Sequence, residues 1–268
     1  MRFLEVIKDF FIKIGDGIKS FFADIKKRTA FIIVCVSVIA LTLTCVLVFN
    51  LYVSDYYEAD REAISYYGKI SETDIYDIED GVTVFRPLNA KTGFIFYPGG
   101  KVEYAAYAPL MDALASHGIL CVLIEMPYNL AVLDVNAADD IYEKFPQIES
   151  WYIGGHSLGG SMAASYLASN SDKVDGLVLL ASYSTSNVGD SRVLSVFGSE
   201  DGVMNREKYV KYKSNLPDGF TEVIIEGGNH AGFGMYGPQD GDGIASILAI
   251  EQIKQTADAI ASFIGGTK

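Results

Sequence analysis

The stretch that decides the fold is residues 150–171, SWYIGGHSLGGSMAASYLASNS. Its first half is a short apolar run rich in β-formers. Its second half is crowded with Gly, Ala and Ser at helical spacing. Between them stands Gly155-His156-Ser157-Leu158-Gly159, a G-x-S-x-G pattern. With 26 glycines among 268 residues the pattern alone carries little weight. Its setting between a hydrophobic strand and a small-residue helix gives it meaning. A strand that turns this sharply into a helix leaves no room for side chains two residues either side of the serine. The same turn puts Ser157 at a helix N-terminus, where backbone N–H groups and the helix dipole favour developing negative charge.

On both sides of this unit, apolar runs alternate with amphipathic stretches. Strands are predicted over residues 81–88, 93–100, 119–127, 175–182, 191–201 and 220–230. Helices are predicted over 103–118, 131–146, 205–219 and 244–264. The strands are nearly unbroken hydrophobic runs, as a sheet covered on both faces requires. The expectation is an α/β fold with a mostly parallel sheet and helices on both sides. In such sheets the reactive groups lie beyond the carboxyl ends of the strands.

A serine hydroxyl needs a base to take its proton. The chain has three histidines, His117, His156 and His230. His117 falls near the start of a strand, at the wrong end of the sheet. His156 sits inside the turn, with its side chain expected to point away from Ser157. His230 follows the strand at 220–228 and is the well-placed base. The base needs a carboxylate to hold its tautomer. Asp201, in Gly198-Ser199-Glu200-Asp201-Gly202, is favoured for this over its neighbour Glu200. An oxyanion needs two backbone donors. The N–H of Leu158 is one. The other is assigned to Gly100 in Pro98-Gly99-Gly100-Lys101, with Lys101 as the alternative.

These segments together resemble the α/β-hydrolase superfamily, and within it the small bacterial type called α/β-hydrolase family 5. The resemblance runs from about residue 80 to 264 and rests on Tyr97–Glu103, Met126–Val132, Gly154–Gly160, Gly198–Gly202 and Gly228–Gly234. Tyr236-Gly237-Pro238-Gln239 and Gly241-Asp242-Gly243 also fit it. The resemblance implies a Ser157–His230–Asp201 triad that cleaves carboxylic esters or related acyl compounds, with no metal or organic cofactor. Acyl transfer to another acceptor, or a catalytically idle binding domain at the cell surface, are the alternatives. Only about eight residues separate the strands at 175–182 and 191–198, so no lid domain is expected and short-chain esters should be preferred.

The N-terminal part is of another kind. Residues 29–54 hold no charge, and such a helix would be about 39 Å long against a hydrocarbon core of about 30 Å. One transmembrane helix is expected there. Residues 1–28 place Phe and Ile at helical spacing among lysines, the pattern of an amphipathic helix at a membrane surface. Gly15 and Gly17 are candidate breakpoints. Lys26-Lys27-Arg28 precede the span, whereas Asp55, Glu58 and Asp60 follow it. The positive-inside rule then keeps the N-terminus cytoplasmic and puts the large domain outside the cell membrane. The expected organisation is a cytoplasmic amphipathic helix (1–28), a transmembrane helix (29–54), a linker (55–80) and a hydrolase domain (81–268). The expected partners are a small acyl substrate and the lipid bilayer. The net charge of −13 argues against nucleic acid. Cys35, Cys45 and Cys121 are too few for a disulfide scaffold.

Overall fold

The computed structural model describes residues 2–68 and 73–266. The chain forms two compact units, Met1–Ser54 and Asp55–Lys268. The first is one continuous helix, α1 (Arg2–Ser54), which Gly15 and Gly17 do not interrupt. By length and composition it is long and apolar enough to cross a membrane. Three hydroxyls of its apolar stretch are satisfied within the helix. Thr29, Thr42 and Thr44 each return the hydroxyl to the carbonyl four residues back, at 2.9 Å, which lowers the cost of carrying them in an apolar stretch.

The second unit is built on an eight-stranded sheet. Its strands are β1 (Asp74–Glu79), β2 (Val82–Arg86), β3 (Thr92–Tyr97), β4 (Ile119–Ile124), β5 (Ser150–His156), β6 (Gly176–Leu180), β7 (Arg192–Gly198) and β8 (Thr221–Ile225). The spatial order is β1-β2-β4-β3-β5-β6-β7-β8. β2 pairs antiparallel with both β1 and β4, and every other pairing is parallel. Every residue of β4 and β6 is buried, so both faces are covered. Alternate side chains feed two cores. Phe94, Phe96, Cys121 and Leu123 pack towards α3 (Ala108–Ser116) and α7 (Ala249–Gly265). Ile95, Tyr97, Leu120 and Val122 pack towards α5 (Leu158–Ser169). Burial pushes the Cys121 thiol well above its ordinary range, so it is a core residue held neutral. Shorter helices α2 (Arg61–Ser65), α4 (Ile141–Lys144) and α6 (Arg206–Tyr212) complete the unit.

The two edge strands are short and acidic. On β1, Asp74 meets Arg86 at 3.2 Å and Asp77 accepts from the Thr83 hydroxyl at 2.6 Å. On β8, Glu222 meets Lys213 at 2.6 Å.

Three details differ from the pattern expected of the sequence. β1 is a strand where only a linker was read, because its alternation is acidic and half-exposed rather than apolar. The helix expected over 131–146 is a 3-10 turn at Ala131–Leu133 followed by the single turn of α4. The buried Tyr97 hydroxyl explains this: it donates to the Val135 carbonyl and accepts the Ala138 N–H, spending backbone groups that a helix would need. The last helix begins at Ala249, not near 244, and Ser246 N–H instead reaches the Gly227 carbonyl at 2.8 Å. The β6–β7 connection, residues 181–191, contains no helix.

Candidate active site

β5 is the middle of the sheet, and Ser157 stands just past its carboxyl end. Its backbone has φ 52° and ψ −118°, a conformation that L-residues rarely adopt. The Ser157 N–H donates to the Leu180 carbonyl at 2.9 Å, and its carbonyl accepts from the Ser182 hydroxyl at 2.6 Å. These bonds hold the strained residue in place. Gly155 and Gly159 are glycine because the β3 backbone lies against them. A Cβ on Gly155 would come within 2.5 Å of the Tyr97 carbonyl oxygen, and one on Gly159 within 2.1 Å of it. No side chain fits there.

The structure brings Asp201 and His230 together at the ends of β7 and β8. Asp201 Oδ2 lies 3.0 Å from His230 Nδ1, and both side chains are buried. The second oxygen, Oδ1, accepts the N–H groups of Val203 and Met204 at 2.9 and 2.8 Å. Burial works to raise the Asp201 pKa. The hydrogen bonds from His230 and from these two amides outweigh it and hold the carboxyl below its usual range. Glu200 is exposed and takes the Ser199 hydroxyl instead. His230 Nε2 is buried and has no hydrogen-bond partner. Among the described residues Ser157 Oγ makes no hydrogen bond to it; such bonds commonly tighten only when substrate is bound.

On the other side of the turn, the loop after β3 has its amides divided. Gly99 N–H donates to the Tyr107 hydroxyl at 3.1 Å, and Lys101 N–H donates to the Asn129 carbonyl at 2.8 Å. Gly100, between them, has an N–H that meets no acceptor among the described residues. A Cβ on Gly100 would stand 2.9 Å from the Leu158 side chain, so this amide lies beside the start of α5. His117 is far from all this, paired with Asp258 at the far end of α3.

Sequence reasoning missed a second layer. The ring centroid of His156 lies 4.5 Å from that of His230. Its Nδ1 meets the Tyr107 hydroxyl at 2.8 Å. Burial, with the neighbouring His230, holds the His156 pKa well below the ordinary imidazole range. Asp242 was read only as part of a familiar motif. Its Oδ1 accepts the N–H groups of Gly202 and His230, both at 3.1 Å, and its Oδ2 accepts that of Ala231 at 2.8 Å. One carboxylate thus ties the Asp201 loop to the His230 loop. The buried Gln252 side chain ties the His230 loop to α7 from behind, accepting Asn229 N–H and donating to the Asn229 carbonyl. A lone acid between Gly241 and Gly243 is the only sequence signal of the first, and nothing marks the second.

Across residues 93–254 the chain matches the alpha/beta hydrolase family, and it belongs to that family. No curated protein sequence matches it. Solved structures that resemble it include dienelactone hydrolase from Anabaena variabilis, 14% identical over 72% of this chain and 98% of that one, with a TM-score of 0.55. Carboxylesterase CesB from Bacillus subtilis is 15% identical over 81% of this chain and 99% of its own, with a TM-score of 0.55. A thermophilic esterase from Thermogutta terrifontis is 14% identical over 74% and 94%, with a TM-score of 0.51. At these identities the likeness is one of fold.

The geometry separates neighbouring residues by their effect on ester turnover. Asp201→Asn should lower kcat by about four orders of magnitude, the cost of losing an orienting carboxylate in a serine triad, while Glu200→Gln stays near wild type. Steady-state kinetics on a chromogenic ester checks this, and equal losses would move the acid elsewhere. Asp242→Asn should lower kcat on the order of 100-fold, since an ångström of misplacement costs about that much, with circular dichroism unchanged at 25 °C. Normal kcat in that variant would show that the loops hold themselves. His156 yields a pH effect whose sign follows from its depressed pKa. Below about pH 6.5 the unfolded chain takes up a proton that folded His156 refuses, so stability falls with pH by about 1.4 kcal/mol per unit. His156→Gln should flatten that slope in denaturant titrations between about pH 6 and 5, whereas an unaltered slope would mean that another group controls it.

Proposed function

We propose that this chain is a membrane-anchored serine hydrolase that cleaves carboxylic esters or related acyl compounds through an acyl-enzyme on Ser157. The observation that carries the reading is the buried Asp201–His230 pair, 3.0 Å apart, whose Nε2 has no partner, together with the elbow conformation of Ser157 at the end of β5. A binding module has no need to bury a charged carboxylate against a histidine, because burial without catalytic use only costs stability.

In this reading Ser157 Oγ attacks the acyl carbon while His230 Nε2 takes its proton. Asp201 holds His230 with Nδ1–H towards the carboxylate, which leaves Nε2 as the base, and it stabilises the imidazolium that forms. The N–H groups of Gly100 and Leu158 receive the oxyanion. His230 then gives its proton to the leaving alkoxide, and water, activated by the same imidazole, releases the acid. The chemistry is complete within these side chains and amides. The α1 helix supplies the anchor, with Lys26-Lys27-Arg28 on the cytoplasmic flank and Asp55, Glu58 and Asp60 on the outer one.

Ser157→Ala should abolish labelling by a fluorophosphonate probe and lower kcat by about a million-fold, with an unchanged unfolding midpoint. Retained labelling would put the nucleophile at another residue. Protease added to intact spheroplasts should digest the unit Asp55–Lys268 and spare the N-terminal segment. Protection of that unit until lysis would reverse the orientation.

A further inference from the structure

Tyr107 is a buried phenol with no part in the chemistry described so far. It stands in the 3-10 turn Tyr104–Tyr107 that leads into α3, and its ring packs 4.9 Å from that of Phe96. Its hydroxyl lies where the loops of the candidate site meet. It accepts the Gly99 N–H at 3.1 Å, and it stands 2.8 Å from Nδ1 of His156, the residue before Ser157. Gly99 is what admits both groups. A Cβ there would come within 2.7 Å of the Tyr107 hydroxyl and of His156 Nδ1 alike. The loop after β8 closes the third side. Met235 N–H donates to the Ala106 carbonyl at 2.9 Å, and the Phe233 ring lies 5.6 Å from that of His156.

The direction of these bonds follows from their hydrogens. A phenol has one O–H to give. The Tyr107 hydroxyl already receives the Gly99 N–H, and His156 Nδ1 is the acceptor it reaches among the described residues. The phenol therefore donates to Nδ1, and His156 carries its own proton on the buried Nε2. Burial pushes the Tyr107 pKa far above the ordinary phenol range, so the hydroxyl remains a donor. Burial keeps His156 neutral, so its Nδ1 remains an acceptor. The loop that carries Gly100 depends on this arrangement. Residues 99–102 form a turn closed by the Gly99 carbonyl and the Val102 N–H at 3.2 Å. Such a turn holds its own shape but not its place. From outside, the Asn129 carbonyl takes the Lys101 N–H and the Tyr57 N–H reaches the Lys101 carbonyl, which grips the far end of the turn. Tyr107 grips the end that leaves β3, and its bond runs on to the elbow. Successive glycines have the widest backbone freedom, so an unheld Gly99 would let the Gly100 amide swing.

Resting on the serine-hydrolase reading, we propose that Tyr107 is the positioning residue of the oxyanion site. Its hydroxyl couples the Gly99 peptide to His156 and so fixes the Gly100 N–H relative to Ser157. The benefit falls on the transition state. An oxyanion exists only once Ser157 Oγ bonds to the acyl carbon, and a donor held beforehand needs no reorganisation when that charge appears. The intact ester carries no full negative charge and gains little from the same donor. Loss of the Tyr107 hydroxyl therefore spares ground-state binding and slows acylation. An oxyanion donor removed outright costs about 10²- to 10³-fold in kcat, and one left in place but unheld costs part of that.

The test compares the full chain in detergent micelles with its Tyr107→Phe variant, which lacks one oxygen and no ring atom. A trifluoromethyl ketone probes the oxyanion. Ser157 Oγ adds to its carbonyl carbon, the serine proton passes to His230, and the carbonyl oxygen takes the electron pair of its double bond. The methyl ketone of the same skeleton, too weak an electrophile to add, reports ground-state binding. Tyr107→Phe should lower kcat/KM for a chromogenic ester by about tenfold or more and raise the inhibition constant of the trifluoromethyl ketone in step. The constant of the methyl ketone should stay within about twofold. A smaller loss of kcat/KM, a trifluoromethyl ketone constant that does not follow it, or equal weakening of both ketones overturns the inference. If the variant still takes a fluorophosphonate label, the hydrolase reading survives each of these results. A wild type that takes no label overturns the hydrolase reading, and the inference with it. Should Tyr107→Phe fail to fold, the acceptor end decides. His156→Asn keeps an acceptor oxygen near the place of Nδ1, and His156→Leu has none. His156→Leu should lose about fivefold more kcat/KM than His156→Asn, with the trifluoromethyl ketone constant in step, and a smaller gap overturns the inference.

Discussion

The close approach of two backbones governs the rest of this unit. The turn after β5 presses against the Tyr97 and Pro98 carbonyls at the end of β3, with only glycine hydrogens between them. That contact brings the start of α5 beside Gly100, and so puts the one uncommitted amide of the β3 loop next to the serine. A methyl group at Gly159 would push the two elements apart and open the site at its centre. The strain at Ser157 is sustained by the same contact, because the strands on either side leave the chain no other path.

A second constraint is electrostatic. The chain places a carboxylate, Asp201, where water cannot reach it, and then supplies three donors to keep it charged. The surrounding loops are held by another carboxylate, Asp242, whose partners are backbone amides and not cations.

What the sequence made legible follows from what is local. The strands β2 to β8 announce themselves as apolar runs, and Ser157, Asp201 and His230 each follow such a run at its carboxyl end. β1 escaped notice because DIYDIE alternates acids with apolar residues at the solvent edge, where composition mimics a linker. The 131–146 stretch has a helical composition that the Tyr97 hydroxyl overrides through contacts 38 and 41 residues away. Asp242, Gln252 and Tyr107 act across the fold in the same way. Their roles depend on which loops meet, and no periodicity records that. That the Lys101 amide is spent on the Asn129 carbonyl is likewise visible only in three dimensions.

The acidic edges of the sheet have a bearing on crowding. A chain anchored as proposed diffuses in two dimensions and meets copies of itself far more often than a free one. Open sheets are vulnerable to such meetings, because unpaired strand edges can zip together. Here β1 presents Asp74, Asp77 and Glu79, and β8 presents Glu222, three of them paired with Arg86, Lys144 and Lys213, so a docking strand would have to strip water from charged side chains at either edge. Charged side chains thus stand at the two places where self-association would begin.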